Sequence, residues 1–283
     1  LSALRRRGYT GAAIRDFVNR IGMSKADSVV DLALLESCVR DDLGEKSPRA
    51  MAVLKPLKVV LTNWPAGEIK EIQVENHPDH PEMGTHTTVM TRELYIERED
   101  FMEEPPKKYF RMFPGNEVRL KGAYIVKCEG CEKDADGNVT AVLCTVDMDS
   151  RNGSEGANRK VKGTLHWVSA EENTPFEARL YEPLLREEDG AESAAEAAET
   201  EGDAAAPATG ASAKKDFISK LNPDSLETCR GYMEKYLDGA KAGETFQFLR
   251  MGYYCKDTDS TEKLPVFNRV VGLRDTFAKQ VKG

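Results

Sequence analysis

Cysteine is scarce. Six in 283 residues are too few for a disulfide scaffold and read as reduced thiols. No apolar run reaches the ~18 residues that would span a bilayer. The opening Leu1-Ser-Ala-Leu-Arg-Arg-Arg7 has cations but no apolar stretch behind them, which excludes a secretory signal. The sequons at Asn138 and Asn152 therefore carry no weight. Phosphate loops of the G-x-x-x-x-G-K-[ST] type, G-x-G-x-x-G turns and G-x-S-x-G elbows are all missing, and no catalytic constellation emerges. The chain lacks an initiator Met and starts abruptly, as a fragment would. These absences point to a cytoplasmic protein off the membrane, long enough for two or three domains.

Net cationic charge is also missing. The formal charge is -8, which at first argues against a polyanionic partner. The excess is local, because residues 187–203 carry eight acidic groups and no Lys or Arg. The remainder holds 40 of the 48 acids against 40 basic residues, and a neutral body can still carry a basic stripe. Residues 187–213 have no aromatic or branched apolar side chain and are expected to form a flexible acidic linker.

The first 48 residues read as a helical module. Thr10 is placed to cap a helix whose Ile14, Phe17, Val18 and Ile21 recur at helical spacing, with Gly22 as its stop. A second helix is expected from Ser24, with Asp27 in a variant capping box and an apolar face from Val29 to Val39. From Ala50 the period shortens. Leu57–Leu61, Leu94–Ile96, Glu117–Leu120, Ala123–Val126, Val139–Leu143, Lys160–Trp167, Thr245–Arg250, Gly252–Tyr254 and Phe267–Val271 read as strands. Asp134-Ala-Asp-Gly-Asn138 is a hairpin turn. Many short strands and few helices suggest a mainly β chain built as two antiparallel barrels, 49–158 and 159–283.

Three motifs invite sharper readings. Cys128-Glu-Gly-Cys131 has zinc spacing, with Cys144 and His77-Pro-Asp-His80 nearby, but a second C-x-x-C is missing, so small residues at a strand end are favoured. His77, His80 and His86 share a proline-rich stretch that reads as a surface loop. Gly22-Met-Ser-Lys-Ala26 looks like a synthetase ATP loop without its first Lys, and Ser24 is better taken as a helix cap. The basic segments say more. Arg5, Arg6 and Arg7 precede a turn, Lys107, Lys108 and Arg111 surround Tyr109, Arg119 and Lys121 stand two apart on a strand, and Gln247 and Arg250 flank Phe248. Cations suit phosphates, aromatics stack on unpaired bases, and Gln and Arg pair with base edges. Charged strand faces are common, so these segments alone are a weak signal.

Longer stretches carry a family resemblance. Leu4-Arg-Arg-Arg-Gly-Tyr-Thr10, Ser47-Pro-Arg-Ala-Met-Ala-Val53, Asn76-His-Pro78, Gly115-Asn-Glu-Val-Arg-Leu120, Lys160-Val-Lys-Gly163, His166-Trp-Val-Ser-Ala170, Phe246-Gln-Phe248 and Phe267-Asn-Arg269 occur in the order found in bacterial glutaminyl-tRNA synthetases. The glutamyl enzymes of archaea and eukaryotes share the Pro-Arg and His-Pro elements, but the other stretches are more similar to the glutaminyl family. The resemblance implies a helical connector and two β-barrels, one similar to ribosomal protein L25, that grip the anticodon loop of tRNA(Gln). It implies Arg49, Gln247 and Arg250 around the middle anticodon base, Arg111 with Lys107 and Lys108 at the third, and Arg119 with Lys121 at the first. Phe110 stands where the family pattern has Lys, and Lys121 where it has Arg. The family's nucleotide fold, its ATP loop and the magnesium and ATP chemistry match nothing here, so no cofactor, metal or catalytic residue is expected in this monomeric fragment. An RNA-free β-barrel interaction module is the other reading kept open.

Overall fold

The computed structural model of the chain describes residues 1–22, 29–185, 218 and 220–274. The acidic segment expected at 187–213 and the proposed Ser24 cap lie outside these residues. Among the described residues three helices come first: α1 (Ser2–Arg7), α2 (Gly11–Ile21) and α3 (Leu32–Lys46). Sixteen strands follow: β1 (Arg49–Ala50), β2 (Ala52–Val53), β3 (Pro56–Leu61), β4 (Lys70–Glu75), β5 (Thr85–Met90), β6 (Glu93–Glu97), β7 (Glu117–Leu120), β8 (Ile125–Lys133), β9 (Val139–Asp147), β10 (Thr164–Leu165), β11 (Val168–Ser169), β12 (Asn173–Tyr181), β13 (Leu226–Glu234), β14 (Thr245–Phe248), β15 (Gly252–Lys256) and β16 (Val266–Val271).

The architecture is mainly β, a nearly closed barrel with a curled half-barrel, preceded by short helices. One seven-stranded sheet runs β10-β7-β8-β9-β3-β6-β11, and the other runs β1-β14-β15-β16-β12-β13-β2. A ribbon of β4 and β5 stands beside them. The ladders are mixed rather than purely antiparallel: β3–β9, β10–β7, β12–β16 and β1–β14 are parallel pairs. The strands also sort differently from a division at 158/159. Strands β1 and β2 join the sheet of the C-terminal half, whereas β10 and β11 close the N-terminal one. Of the expected strand Lys160–Trp167 only β10 forms, and after the buried His166 and Trp167 the chain enters β11 at the opposite edge of the same sheet.

Alternation along the strands explains the cores. In β3 the burial alternates so that Leu57, Val59 and Leu61 face inward, joining Leu94, Val118, Val126, Val142 and Trp167. Phe176, Phe248, Phe267 and Tyr254 fill the other sheet, where the rings of Phe248 and Tyr254 stack at 4.3 Å. Asp134 accepts from the backbone of Asp136 and Asn138, so the predicted turn is the β8–β9 hairpin.

The chain crosses between the two sheets at 49–55, and this crossing needs acceptors for its amides. Two buried carboxylates supply them. Glu234 of β13 accepts from Met51 N at 2.6 Å, and Glu97 of β6 accepts from Leu54 N at 2.6 Å and Lys55 N at 3.1 Å. His86 bonds Glu234 at 3.1 Å and Asn76 at 2.6 Å, and stacks on Tyr236 at 4.0 Å. His86 and His77 are thus buried, not part of a surface loop. His77 reaches Gly44 O at 2.7 Å, and His80 is half-buried between Glu45 and Glu82.

Thr10 caps α2 through Ala13 N, as the pattern suggested. Helix α3 begins later than expected: Val29 and Val30 are outside it and exposed, and Asp31 caps Ala33 N at 2.8 Å. Tyr9, Ala13, Cys38, Val39 and Leu43 pack against Tyr253, Cys255, Val270 and Val271. Gly8 (φ 109°) is required at this junction, because a Cβ there would come within 2.6 Å of Cys255 Cβ. Arg6 locks the contact with a fork on the buried Asp257 at 3.0 and 2.7 Å. Burial pushes the Asp257 carboxyl up, but Arg6, the Asp259 amide and Asn268 outweigh this and hold it below its ordinary 3.8.

Two outcomes follow from these contacts. Glu234→Ala strips acceptors from Met51 N and His86 and should cost ~3 kcal/mol in denaturant unfolding, with Glu234→Gln milder. Asp257 has a depressed folded pKa, so its contribution is present above the unfolded value and fades as pH falls. The stability difference between wild type and Asp257→Asn should therefore shrink as pH drops from about 5 toward 2, followed by thermal unfolding.

Candidate nucleic-acid interface

Strand β1 lies parallel to β14 with Arg49 in register with Gln247. Arg49 Nε donates to Gln247 Oε1 at 3.1 Å, so the two side chains form one polar unit. Arg49 lines a cavity of about 430 Å³ together with Gln73, Lys121 and Leu249. Lys121 reaches it from the turn after β7. Its backbone is fixed on both sides, N to Leu165 O at 2.8 Å and O to Trp167 Nε1 at 3.0 Å, while its ammonium is exposed.

A second cavity of about 320 Å³ lies on the other side of the turn that follows β14, where Arg250 succeeds Leu249. Arg250 holds a left-handed φ of 67°. Its two terminal nitrogens each bond one oxygen of Asp100 at 2.6 Å, and Nη1 lies 3.4 Å from His166 Nδ1. Arg111 enters the same cavity: Nη1 donates to Glu99 O at 3.1 Å and lies 3.3 Å from Asp100 Oδ1. Burial acts against the Arg250 charge, yet Asp100 outweighs it and the guanidinium pKa is raised.

The structure regroups the residues expected to act together. Arg49 and Gln247 meet, and Lys121 shares the cavity that Arg49 lines, whereas Arg250 sits with Arg111 in the next one. Arg119 is engaged elsewhere. Its guanidinium donates to the carbonyls of Ser150, Ala157 and Arg159 at 3.4, 2.7 and 3.2 Å, clamping the 148–159 loop. Strand β7 ends at Leu120, so the expected shared face of Arg119 and Lys121 does not form. Lys107 and Lys108 project from an exposed turn with Lys108 at φ 69°. Tyr109 anchors that turn through Glu99 O at 3.0 Å, and burial with little relief from Arg111 pushes its phenol up to about 12, so it remains a donor.

Sequence reasoning missed three participants. Phe110 is half exposed with Lys162 Nζ 5.5 Å from its ring centre, an aromatic face amid cations rather than simply a lost Lys. Asp100 and His166 are buried polar groups that touch the candidate arginines. Position 166 stood within a quoted motif, but Asp100 gave no signal beyond a surface-like Glu-Arg-Glu-Asp run. Arg6 and Arg7 lie away from this region, on Asp257 and on Arg269 O. Among the described residues no group of three or more His, Cys, Asp or Glu is placed to bind a metal. Cys128 and Cys144 face each other across β8 and β9 in the core. Among the described residues no helix is long and apolar enough to cross a membrane.

Residues 47–147 and 164–257 match two families, both described as tRNA synthetases class I (E and Q), anti-codon binding domain. The chain belongs to this family. It is 47% identical over 280 residues to a glutamine–tRNA ligase of Vibrio vulnificus, covering 99% of this chain and 47% of that protein. The glutamine–tRNA ligases of Salmonella newport (47% over 281 residues) and Clostridium perfringens (47% over 278) are matched in the same way, over 99% and 98% of this chain and 47% of each relative. The chain thus spans about half the length of these curated relatives. The two matched regions contain Arg49, Lys121, Gln247 and Arg250, and most of the residues that line both cavities.

Because Arg119 clamps a loop, Arg119→Ala should speed amide hydrogen exchange across residues 148–159 and lower the melting temperature. RNA affinity at fixed salt should change little once the folded fraction is accounted for.

Proposed function

We propose that this chain reads the anticodon loop of tRNA(Gln) as part of a glutamine–tRNA ligase. The observation that carries the reading is the pair of cavities flanking the turn after β14, one lined by Arg49, which Gln247 holds, and Lys121, the other by Arg250 and Arg111. Splayed bases need separate pockets that offer hydrogen bonds to their edges, and each cavity presents fixed donors. The exposed Lys107, Lys108 and Lys121 are placed to neutralise phosphates, and Phe110 offers a stacking face. Attachment of glutamine with ATP and magnesium belongs to the full-length protein, so this chain alone binds and does not ligate. Glutamine is favoured over glutamate because the relatives above are glutamine–tRNA ligases.

The test is binding to a glutamine-tRNA anticodon stem-loop beside loops altered one base at a time, across a salt series. Affinity should fall with salt, and the double variant Lys107→Ala/Lys108→Ala should flatten that slope by up to ~2 without altering base preference. Arg49→Ala and Gln247→Ala should each lower discrimination at the same anticodon position. Binding indifferent to every base change would leave the RNA-free interaction module as the better account.

A further inference from the structure

The second cavity holds a feature that base reading alone does not explain. Asp100 is 1% exposed, carries a formal negative charge and stands inside a site meant for a polyanion. A carboxylate facing RNA repels phosphate, so its presence calls for a reason. Its geometry supplies one. Asp100 sits at the end of a 3-10 turn, Arg98–Asp100, whose backbone is fixed by Met112 N donating to Asp100 O at 2.9 Å. The carboxylate takes one N–H from each terminal nitrogen of Arg250, at 2.6 and 2.6 Å, and so occupies the end-on edge of the guanidinium. Arg111 Nη1 approaches Oδ1 of the same carboxylate at 3.3 Å.

Arg250 comes from the C-terminal sheet system and Asp100 from the N-terminal one, and their fork joins the two at the cavity. On its far side, His166 Nδ1 lies 3.4 Å from Arg250 Nη1. Nε2 is buried without a hydrogen bond and faces Glu97 Oε1 at 3.6 Å. Glu97 is the carboxylate that fixes Leu54 N and Lys55 N at the crossing between the sheets. The guanidinium is therefore gripped from two sides by groups rooted in the barrel junction.

We propose that Asp100 is a positioning residue that turns Arg250, and through the shared oxygen Arg111, from phosphate-seeking cations into oriented donors for base edges. With the end-on edge engaged, the Nε–H and the second Nη2–H of Arg250 form a side-on pair whose direction is set. The charge of Arg250 is matched by its buried partner, so its affinity for phosphate falls while its planar donor geometry is kept. Specificity is thereby separated from affinity: the exposed lysines neutralise phosphate, and the Asp100-bound arginines discriminate bases. The proposal rests on the anticodon-reading function above.

The experiment uses the 283-residue chain and compares wild type, Asp100→Asn and Arg250→Lys on the matched stem-loop and on three loops altered singly at each anticodon position, over a salt series. Denaturant midpoints correct for any change in folded fraction. Asp100→Asn should lose about tenfold or more of the discrimination at one or two positions. The salt slope should steepen by up to ~1, because Arg250 loses the carboxylate that holds it from phosphate. Arg250→Lys keeps the charge without the planar fork. It should show the same loss, and it stands in if the Asn variant fails to fold. Retained discrimination in Asp100→Asn or Arg250→Lys, or a flatter salt slope on Arg250→Lys, overturns the positioning role. An equal loss for all loops that tracks the denaturant midpoint also overturns it, as the mark of a purely structural ion pair. If wild type itself discriminates among no loops, the anticodon-reading function fails, and this proposal falls with it.

Discussion

Everything in this molecule hinges on how seven residues, 49–55, pass between two curled sheets without leaving buried amides unpaired. An extended segment in the interior must find an acceptor for each N–H, and an orphan costs roughly 1–3 kcal/mol. Two carboxylates serve, Glu234 for Met51 and Glu97 for Leu54 and Lys55. Both are buried, and each is backed by a buried histidine, His86 and His166. The crossing places Arg49 beside Gln247 at one end and sets Glu97 under the second cavity at the other. The two cavities thus flank the joint between the sheets, so a charge inserted there would bear on the proposed site as well as on stability.

Much of this was legible in the chain itself. The β3 and β9 strands, the hairpin at Asp134–Asn138 and the Thr10 cap follow from period-two alternation, turn chemistry and capping, all of which are local. Non-local facts were not. Nothing in Thr164–Ser169 signals that β10 and β11 pair at opposite edges of one sheet, because that depends on where β6 and β7 come to lie. His77 and His86 looked like loop residues because Pro78 and Pro81 surround them, but burial is decided by Gly44, Glu234 and Tyr236, which are distant in sequence. The start of α3 was misplaced because Val29 and Val30 fit an apolar helical face, and Asp31, a good cap, was passed over.

Among the candidate site residues, the sequence identified most of the cations but not their tasks. Arg119 has the look of a base reader and acts as a clamp on three carbonyls. Arg250 has the look of a free cation and is held by a forked carboxylate. Such pairings depend on tertiary contacts made 31 to 150 residues away along the chain. They also fit the proposed function of an acidic protein: several of its arginines are neutralised within the fold, and Lys107, Lys108 and Lys121 stay exposed.

The most direct test of the account is amide hydrogen exchange of the chain with and without a glutamine-tRNA anticodon stem-loop at moderate salt. The account predicts added protection in the turns that build the two cavities, around Gln73–Thr85, Lys107–Met112, Lys121–Gly122 and Leu249–Met251, with little change in α1 and α2. Protection confined to the helices, or to the groove between Arg7 and Arg269, or none at a concentration where binding is saturated, would contradict it.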